Sequence, residues 1–348
     1  MQRISIQPAG DLSDLATRWQ ALECRADPGF FRSWVFIGCL AAERFAGARL
    51  LCVTQDGHDV ALALLGSGRG KRWLNQTGDI AQDSVFIEHN GVLAEGRAHS
   101  HIVAALQAAA RPGPLALSGI DDPTLAAANQ AGWVSVAQTR WAPSVALHAL
   151  DRPYLETLSA NARSQIRRSL RLYGPDLKLA RAETLPQAQE FFAELIGVHQ
   201  AAWQARGRPG AFADPHMRKF HAELIARAWP TGGADLLRVT AGARHIGTLY
   251  NLLAGGRVYC YQSGFAYSDD AREKPGLCCH ALAIAQYASA GARIYDLLGG
   301  ADRYKLTLAQ GGQMLHWATL HRRWSVGGCV SKTKVFFFAK KKQKTLAT

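Results

Sequence analysis

Between residues 257 and 309 the hydrophobic period of the chain switches from two to three-and-a-half and back, which restricts its possible folds more than any other feature. Residues 258–263, Val-Tyr-Cys-Tyr-Gln-Ser, are aromatic and β-branched enough to predict a strand. Residues 264–274 are polar and lead into Lys274-Pro275-Gly276. Leu277, Ala281, Ile284, Ala285 and Ala288 then recur at helical spacing, and Gly291 supplies a stop. Residues 294–298 predict a second strand, followed by a glycine corner, Gly299-Gly300, that carries Asp302, Arg303, Tyr304 and Lys305. Strand, helix, strand is the signature of an α/β unit.

The start of that helix has two readings. A Pro-Gly turn leaves the first backbone amides unpaired at the positive end of the helix dipole. Gly276 has no Cβ to hold a phosphate away from the backbone. Lys274, Gly276, Leu277, Cys278 and Cys279 are therefore candidates to hold a pyrophosphate. The alternative is a plain helix start.

Tyr261-Gln-Ser-Gly-Phe265, Lys274-Pro-Gly276, Tyr295-Asp-Leu-Leu-Gly-Gly300 and Tyr304-Lys305, in that order, resemble the GNAT-type acyltransferase half of the cellulose-biosynthesis-associated acetyltransferase family. That family is similar in turn to the Fem-type aminoacyl-tRNA-dependent ligases of peptidoglycan. The resemblance covers most of residues 150–325 and, more loosely, the N-terminal part. It implies an α/β (α+β) chain of two tandem GNAT-like domains, each a mixed central sheet flanked by helices. Residues 1–150 form a degenerate first domain, residues 151–330 hold the donor thioester, and residues 331–348 are a flexible basic tail. Acyl-CoA is the implied co-substrate.

The chain has 348 residues, enough for two cores, and 48% of them are hydrophobic. No apolar run is long enough to span a bilayer, and Met-Gln-Arg-Ile-Ser-Ile lacks the apolar stretch of a secretory signal. Seven cysteines without a Cys-x-x-Cys pair suit buried thiols in a reducing cytosol, so a cytoplasmic location is expected. No metal site is expected. The net charge of +13 is concentrated: Arg163, Arg167, Arg168 and Arg171 lie in an acid-free segment, and six lysines follow residue 331. Arg163, Arg167 and Arg171 recur at i, i+4, where like charges cost roughly 0.2–0.5 kcal/mol per pair unless an anion relieves them. Arg163, Arg167 and Arg168 thus read either as a rail for phosphates or a polyanion or as a solvated face, and the family's similar basic segment favours the rail. The apolar–basic tail is either a contact for an anionic membrane surface or a frayed end.

In the first half, Asp11 predicts a cap for a helix carrying Leu12, Leu15, Trp19 and Leu22. A second helix is expected from Phe30 to about Ala46, and a hairpin across Asp56-Gly57. Gly66-Ser-Gly-Arg-Gly-Lys-Arg72 departs from a phosphate-binding loop at both ends and reads as a basic hairpin turn. Residues 133–150 read as extended, interrupted at Pro143. In the second half Ser159 predicts a cap for a helix over 160–173. Residues 184–205 form a long helix ending in His199, Trp203 and Arg206. The family has a similar corner lining its cleft, so His199, Trp203 and Arg206, with Gln262 and Tyr267, are candidates for acceptor binding. A capped helix end with Trp203 in the core is the competing reading.

Acyl transfer needs a held donor, an acceptor that loses a proton, and hydrogen bonds to the oxyanion. Asp296 and Tyr304 are candidates for the proton, and Lys305 for charge on the oxyanion or an acceptor anion. Asp296 reads equally as a carboxylate capping the glycine corner. Cys278 and Cys279 at a helix N-terminus predict lowered thiol pKa values. One departure stands out: GNAT loops open with Gln or Arg, whereas this one opens with Glu273. The expected activity is transfer from acyl-CoA to an amine or hydroxyl of a sugar, polysaccharide precursor or small amine. The alternatives are an aminoacyl-tRNA-dependent ligase with tRNA as partner, or a non-catalytic accessory of an envelope-polymer pathway. The oligomeric state is left open.

Overall fold

The computed structural model describes residues 1–44, 47–79, 81–85, 87–300 and 302–322; Cys329 and the basic tail lie outside them. The chain forms two compact units. One runs from Met1 to Thr139 and includes the described residues from Leu315 onward; the other is Arg140–Met314. The division therefore falls ten residues or so before the expected 150, and the final strand's end goes with the first unit.

The first unit contains β1 (Gln2–Pro8), α1 (Leu12–Glu23), α2 (Trp34–Arg44), β2 (Arg49–Gln55), β3 (His58–Gly68), β4 (Lys71–Leu74), β5 (Leu93–Ala94), α3 (His99–Ala110), β6 (Leu115–Ile120), α4 (Asp122–Ala131) and the start of β7 (Trp133–Val145). The second holds α5 (Tyr154–Thr157), α6 (Ala160–Tyr173), β8 (Leu177–Arg181), α7 (Leu185–Gln204), α8 (Pro215–Ala228), β9 (Ala234–Ala241), β10 (Arg244–Ala254), β11 (Arg257–Phe265), α9 (Pro275–Ser289), β12 (Ile294–Asp296), α10 (Arg303–Leu308) and the start of β13 (Gly311–His321).

The two sheets repeat one plan. In the first, the order is β1-β2-β3-β4-β6-β13, antiparallel except for β4 beside β6, which α3 connects. In the second it is β8-β9-β10-β11-β12-β7, antiparallel except for β11 beside β12, which α9 connects. This is a mixed α/β fold with two GNAT-like sheets flanked by helices, a duplication that no sequence repeat reveals. Each sheet is closed by a strand that the chain delivers after the other unit's last helix.

Local chemistry explains most boundaries. Asp11 accepts from the Ser13 amide and caps α1, whose Leu15, Trp19 and Leu22 are buried, while Leu12 stays exposed. Helix α2 begins at Trp34 rather than Phe30, because the Ser33 hydroxyl accepts from the Phe36 amide and the Ile37 amide bonds to Ser33 O. Asp56 and Gly57 both take positive φ at the β2–β3 turn, as a tight hairpin demands. Strand β7 continues through Pro143, since its ladder with β12 uses Ser144 and Val145 and needs no amide from residue 143. In the second unit Ser159 caps α6 and Thr184 caps α7 through their hydroxyls. Strand β8 and helix α10 carry no strong sequence signal.

Candidate active site at the β11–β12 fork

Strands β11 and β12 are partners only from Arg257↔Ile294 to Tyr259↔Asp296. Beyond that pair they diverge, and a bulge supplies the cause. The β10–β11 register passes from Asn251↔Cys260 to Tyr250↔Gln262, so Tyr261 is an extra residue that bends β11 away. Helix α7 lies against one face of the bent strand: a Cβ on Gly264 would come within 2.5 Å of Val198 Cγ2 and 2.7 Å of Leu195 O. Helix α9 lies against the opposite face of the sheet, where a Cβ on Gly247 of β10, the partner of Phe265, would meet Cys279 Sγ at 3.1 Å.

The N-terminus of α9 has no side-chain cap. The Cys278 amide is already in the helical ladder, donating to Lys274 O, and the Lys274 amide donates to the Ser169 hydroxyl at 2.9 Å. The amides of Gly276 and Leu277 lie between these two commitments, aligned with the dipole. A Cβ on Gly276 would stand 3.3 Å from the Phe265 ring. Glu273, the residue that seemed unsuited to a phosphate loop, forms a two-pronged ion pair with Arg244 (2.8 and 2.6 Å) and accepts from the Ser268 hydroxyl. Those bonds hold its carboxyl below the ordinary range and cancel its charge.

Cys278 and Cys279 do not behave as expected of thiols at a helix N-terminus. Burial pushes Cys278 up to about 11 and Cys279 well above its ordinary value, outweighing the dipole. Cys278 Sγ donates to the Ser169 hydroxyl, so both thiols face inward.

The glycine corner places Asp296, Tyr304 and Lys305 together. Asp296 is 1% exposed; it accepts from the Arg257 guanidinium at 2.7 Å and from the Leu298 amide at 2.8 Å. That is the corner-capping carboxylate rather than a free proton carrier. Lys305 is buried and its Nζ donates to the carbonyls of Gly299 (3.0 Å) and Leu298 (3.3 Å). Tyr304 stacks on His280 with centroids 5.4 Å apart and planes at 15°. Burial raises its hydroxyl pKa far above the ordinary value, so it keeps its proton.

His280, one turn along α9 from Gly276, went unnoticed in the sequence because it reads as one polar residue in an apolar helix. It is fully buried, its Nδ1 is 2.9 Å from Tyr295 Oη and 3.9 Å from Cys260 Sγ, and its Nε2 has no hydrogen-bond partner among the described residues. Burial, and secondarily the nearby Lys305 charge, lower its pKa to about 3, so the ring is neutral.

Of the candidate acceptor residues, Trp203, Arg206 and Tyr267 come together. The Arg206 guanidinium lies over Trp203 (5.9 Å) and Tyr267 (5.7 Å), and the Tyr267 ring meets Phe265, which in turn meets His280. His199 is packed beside Trp203 and Phe212, with Nδ1 near Gln200 Oε1 and a pKa lowered by burial. Gln262 is half-buried in register with Tyr250 on β11. On α6, Arg163 is half-buried and donates to Glu156 O, whereas Arg167 and Arg168 are exposed. None of the three has an ion-pair partner among the described residues. Arg168 adds to Arg272 in holding Asp270 low, which sets the rail beside the loop entering α9.

Residues 159–306 match the sequence profile of the acetyltransferase (GNAT) domain family. No curated protein matches the chain by sequence. Among solved structures, the C-terminal domain of a putative lysylphosphatidylglycerol synthetase from Agrobacterium fabrum is similar, with TM-score 0.57 and 13% identity over 94% of this chain and 97% of that one. FemX is similar at TM-score 0.58 and 12% identity, covering 87% and 95%. L-PGS from Bacillus licheniformis is similar at 0.55 and 12%, covering 92% and 95%. At such identities the likeness establishes the fold. No helix among the described residues is long and apolar enough to cross a membrane.

Proposed function

We propose that the second unit transfers an acyl group from acyl-CoA to an amine or hydroxyl. The observation that carries this reading is the fork itself: diverging parallel strands, with the amides of Gly276 and Leu277 at one side and Glu273 neutralised by Arg244. The pyrophosphate would rest on those two amides, with Lys274 and Arg168 adding charge. The acceptor nitrogen or oxygen attacks the thioester carbonyl, the new C–N or C–O bond forms, and the C–S bond breaks. Tyr304, kept protonated by burial, donates a hydrogen bond to the leaving thiolate and keeps its proton. The acceptor's own proton leaves to water. Neutral His280 offers Nε2 as a hydrogen-bond partner to the bound groups, and Lys305 holds the corner that shapes the pocket. Trp203, Arg206 and Tyr267 form the wall for the acceptor, a sugar, polysaccharide precursor or small amine as the cellulose-associated resemblance suggests.

A thermal-shift series with CoA, acetyl-CoA and longer acyl-CoAs tests this. A ligand at a hundred times its Kd adds about 2.7 kcal/mol of stability. Stabilisation by an acyl-CoA that disappears in Gly276→Val supports the reading; no response to any CoA overturns it.

The exposed Arg167 and Arg168 favour a second reading, an aminoacyl-tRNA-dependent ligase, which the FemX likeness also suits. It requires tRNA binding that weakens steeply with salt. An accessory role without chemistry requires that Lys305→Ala leave function in the cell unchanged.

A further inference from the structure

In the first unit a hydroxyl, an imidazole and a carboxylate form a chain of hydrogen bonds that the fork chemistry leaves unused. Thr139 lies on β7, His316 on β13 and Asp122 in the first turn of α4, all within that unit. Strand β13 sets His316 opposite Ile120 of β6, and α4 begins two residues after Ile120, so Asp122 arrives beside the ring. Between the pairs His316↔Ile120 and Ala318↔Leu117, β6 uses one residue more than β13, and Gly119 takes positive φ there. Asp121 does the capping by accepting from the Thr124 amide at 3.0 Å, which leaves the Asp122 carboxylate for His316.

The direction of each bond follows from its partners. His316 Nε2 is 2.7 Å from Asp122 Oδ1, and His316 Nδ1 is 3.2 Å from the Thr139 hydroxyl. A carboxylate only accepts, so Nε2 carries a proton and donates to it. In the neutral ring Nδ1 then holds the lone pair, and the Thr139 hydroxyl donates to it. His316 is buried, whereas Thr139 and Asp122 are exposed. A buried imidazole needs both nitrogens satisfied, and these two bonds do that. They also meet the requirements for activating a nucleophile: an accessible hydroxyl, a base within hydrogen-bond reach, and a third group that orients the base. Because Thr139 faces solvent, water would solvate the carbonyl oxygen of a substrate. The acyl groups it can take are therefore those with a good leaving group.

We propose that Thr139 is a self-acylation site for activated esters, thioesters among them, with His316 as general base and Asp122 as the residue that positions it. Thr139 Oγ attacks the acyl carbonyl carbon while its proton passes to His316 Nδ1. The new C–O bond forms, the bond to the phenolate or thiolate breaks, and Nδ1 gives the proton to that leaving group. Asp122 accepts from Nε2–H throughout and offsets the charge of the transient imidazolium. The product is an ester on Thr139. This site shares no residue with the β11–β12 fork and does not rest on CoA binding there.

The test incubates the full chain with p-nitrophenyl acetate, following p-nitrophenolate release, intact mass and the modified peptide. One acetyl group on Thr139 is expected. Thr139→Val, nearly isosteric at an exposed strand position, should abolish that adduct, and Thr139→Ser should keep it. His316→Gln should slow the labelling on the order of a hundredfold. Asp122→Asn, which alters an exposed carboxylate, should slow it by roughly tenfold. Melting curves establish that each variant is folded; if His316→Gln is not, Asp122→Asn decides. Acetyl groups on other residues but not on Thr139 would overturn the proposal. So would labelling of Thr139 at the parent rate in the folded His316 and Asp122 variants, the behaviour of an unassisted surface hydroxyl. The acyl-CoA thermal shift should be unchanged in Thr139→Val. Its absence from the parent protein would count against acyl transfer at the fork and not against this site.

Discussion

The two strand forks of this protein share a plan and differ in what fills them. In the second unit the parallel pair β11–β12 ends at Tyr259 and Asp296, the Tyr261 bulge bends β11 aside, and α9 presents an uncapped N-terminus. In the first unit the pair β4–β6 ends at Trp73 and Ala116, and the chain's own residues close the fork. Asn75 donates to Asn90 Oδ1 and Gly91 O, Asn90 donates to Leu74 O, and the Asn90 amide bonds to Gly119 O. Gly119, at positive φ, has no room for a Cβ, which would lie 2.6 Å from Ile87 O. Strand β3 runs into β4 with no register shift. One topology thus yields a bulged fork with a bare helix end beside it, and a stitched one where two buried asparagines satisfy the backbone.

Four substitutions would break or sharpen that contrast, taken from the largest expected effect downward. Arg257→Leu removes the guanidinium that donates to the buried Asp296 carboxylate, and should cost about 3–5 kcal/mol in chemical denaturation. Asn75→Ala unstitches the closed fork by removing bonds to Leu64, Asn90 and Gly91. It should cost about 1–3 kcal/mol and leave the acyl-CoA thermal shift intact; loss of that shift would mean the first fork takes part in donor binding.

His280→Phe tests the bulged fork by pH. The native pKa of about 3 lies below the ordinary 6.5, so between those values the unfolded chain binds a proton that the native state does not. Stability therefore rises with pH through that window and falls on acidification, by up to about 1.4 kcal/mol per pH unit from this group. The variant should show a shallower acid limb in Tm against pH; an unchanged limb would refute the neutral buried imidazole. The smallest effect belongs to Arg244→Ala, which uncovers the Glu273 charge at the donor loop. KM for acyl-CoA should rise roughly threefold, with kcat unchanged, and less so at high salt.

Much of the second unit was legible in its sequence. The spacing of Leu277, Ala281 and Ile284, the Pro275-Gly276 start and the Ser159 and Thr184 caps are local signals, and each element lies within a few residues of its expected place. The site was only half legible. Trp203, Arg206 and Tyr267 meet at the corner that the family resemblance implies, but Cys278 and Cys279 face the core, and burial overrides the dipole that their position implies. Glu273 looked hostile to a phosphate because Arg244, which cancels it, lies on another strand. His280 was invisible because nothing nearby in sequence announces that Tyr295, Tyr304 and Phe265 will enclose it.

By itself the sequence determined the long helices, the hairpins, the α/β class and the glycine corner, because periodicity, caps and turn residues act over a handful of positions. Only the tertiary structure decided the duplicated sheets, which fork carries the bulge, and that Asp296 is an ion-pair partner of Arg257. Strand register, ion pairing and desolvation depend on residues far apart in the chain, and their energies exist only once folding brings those residues together.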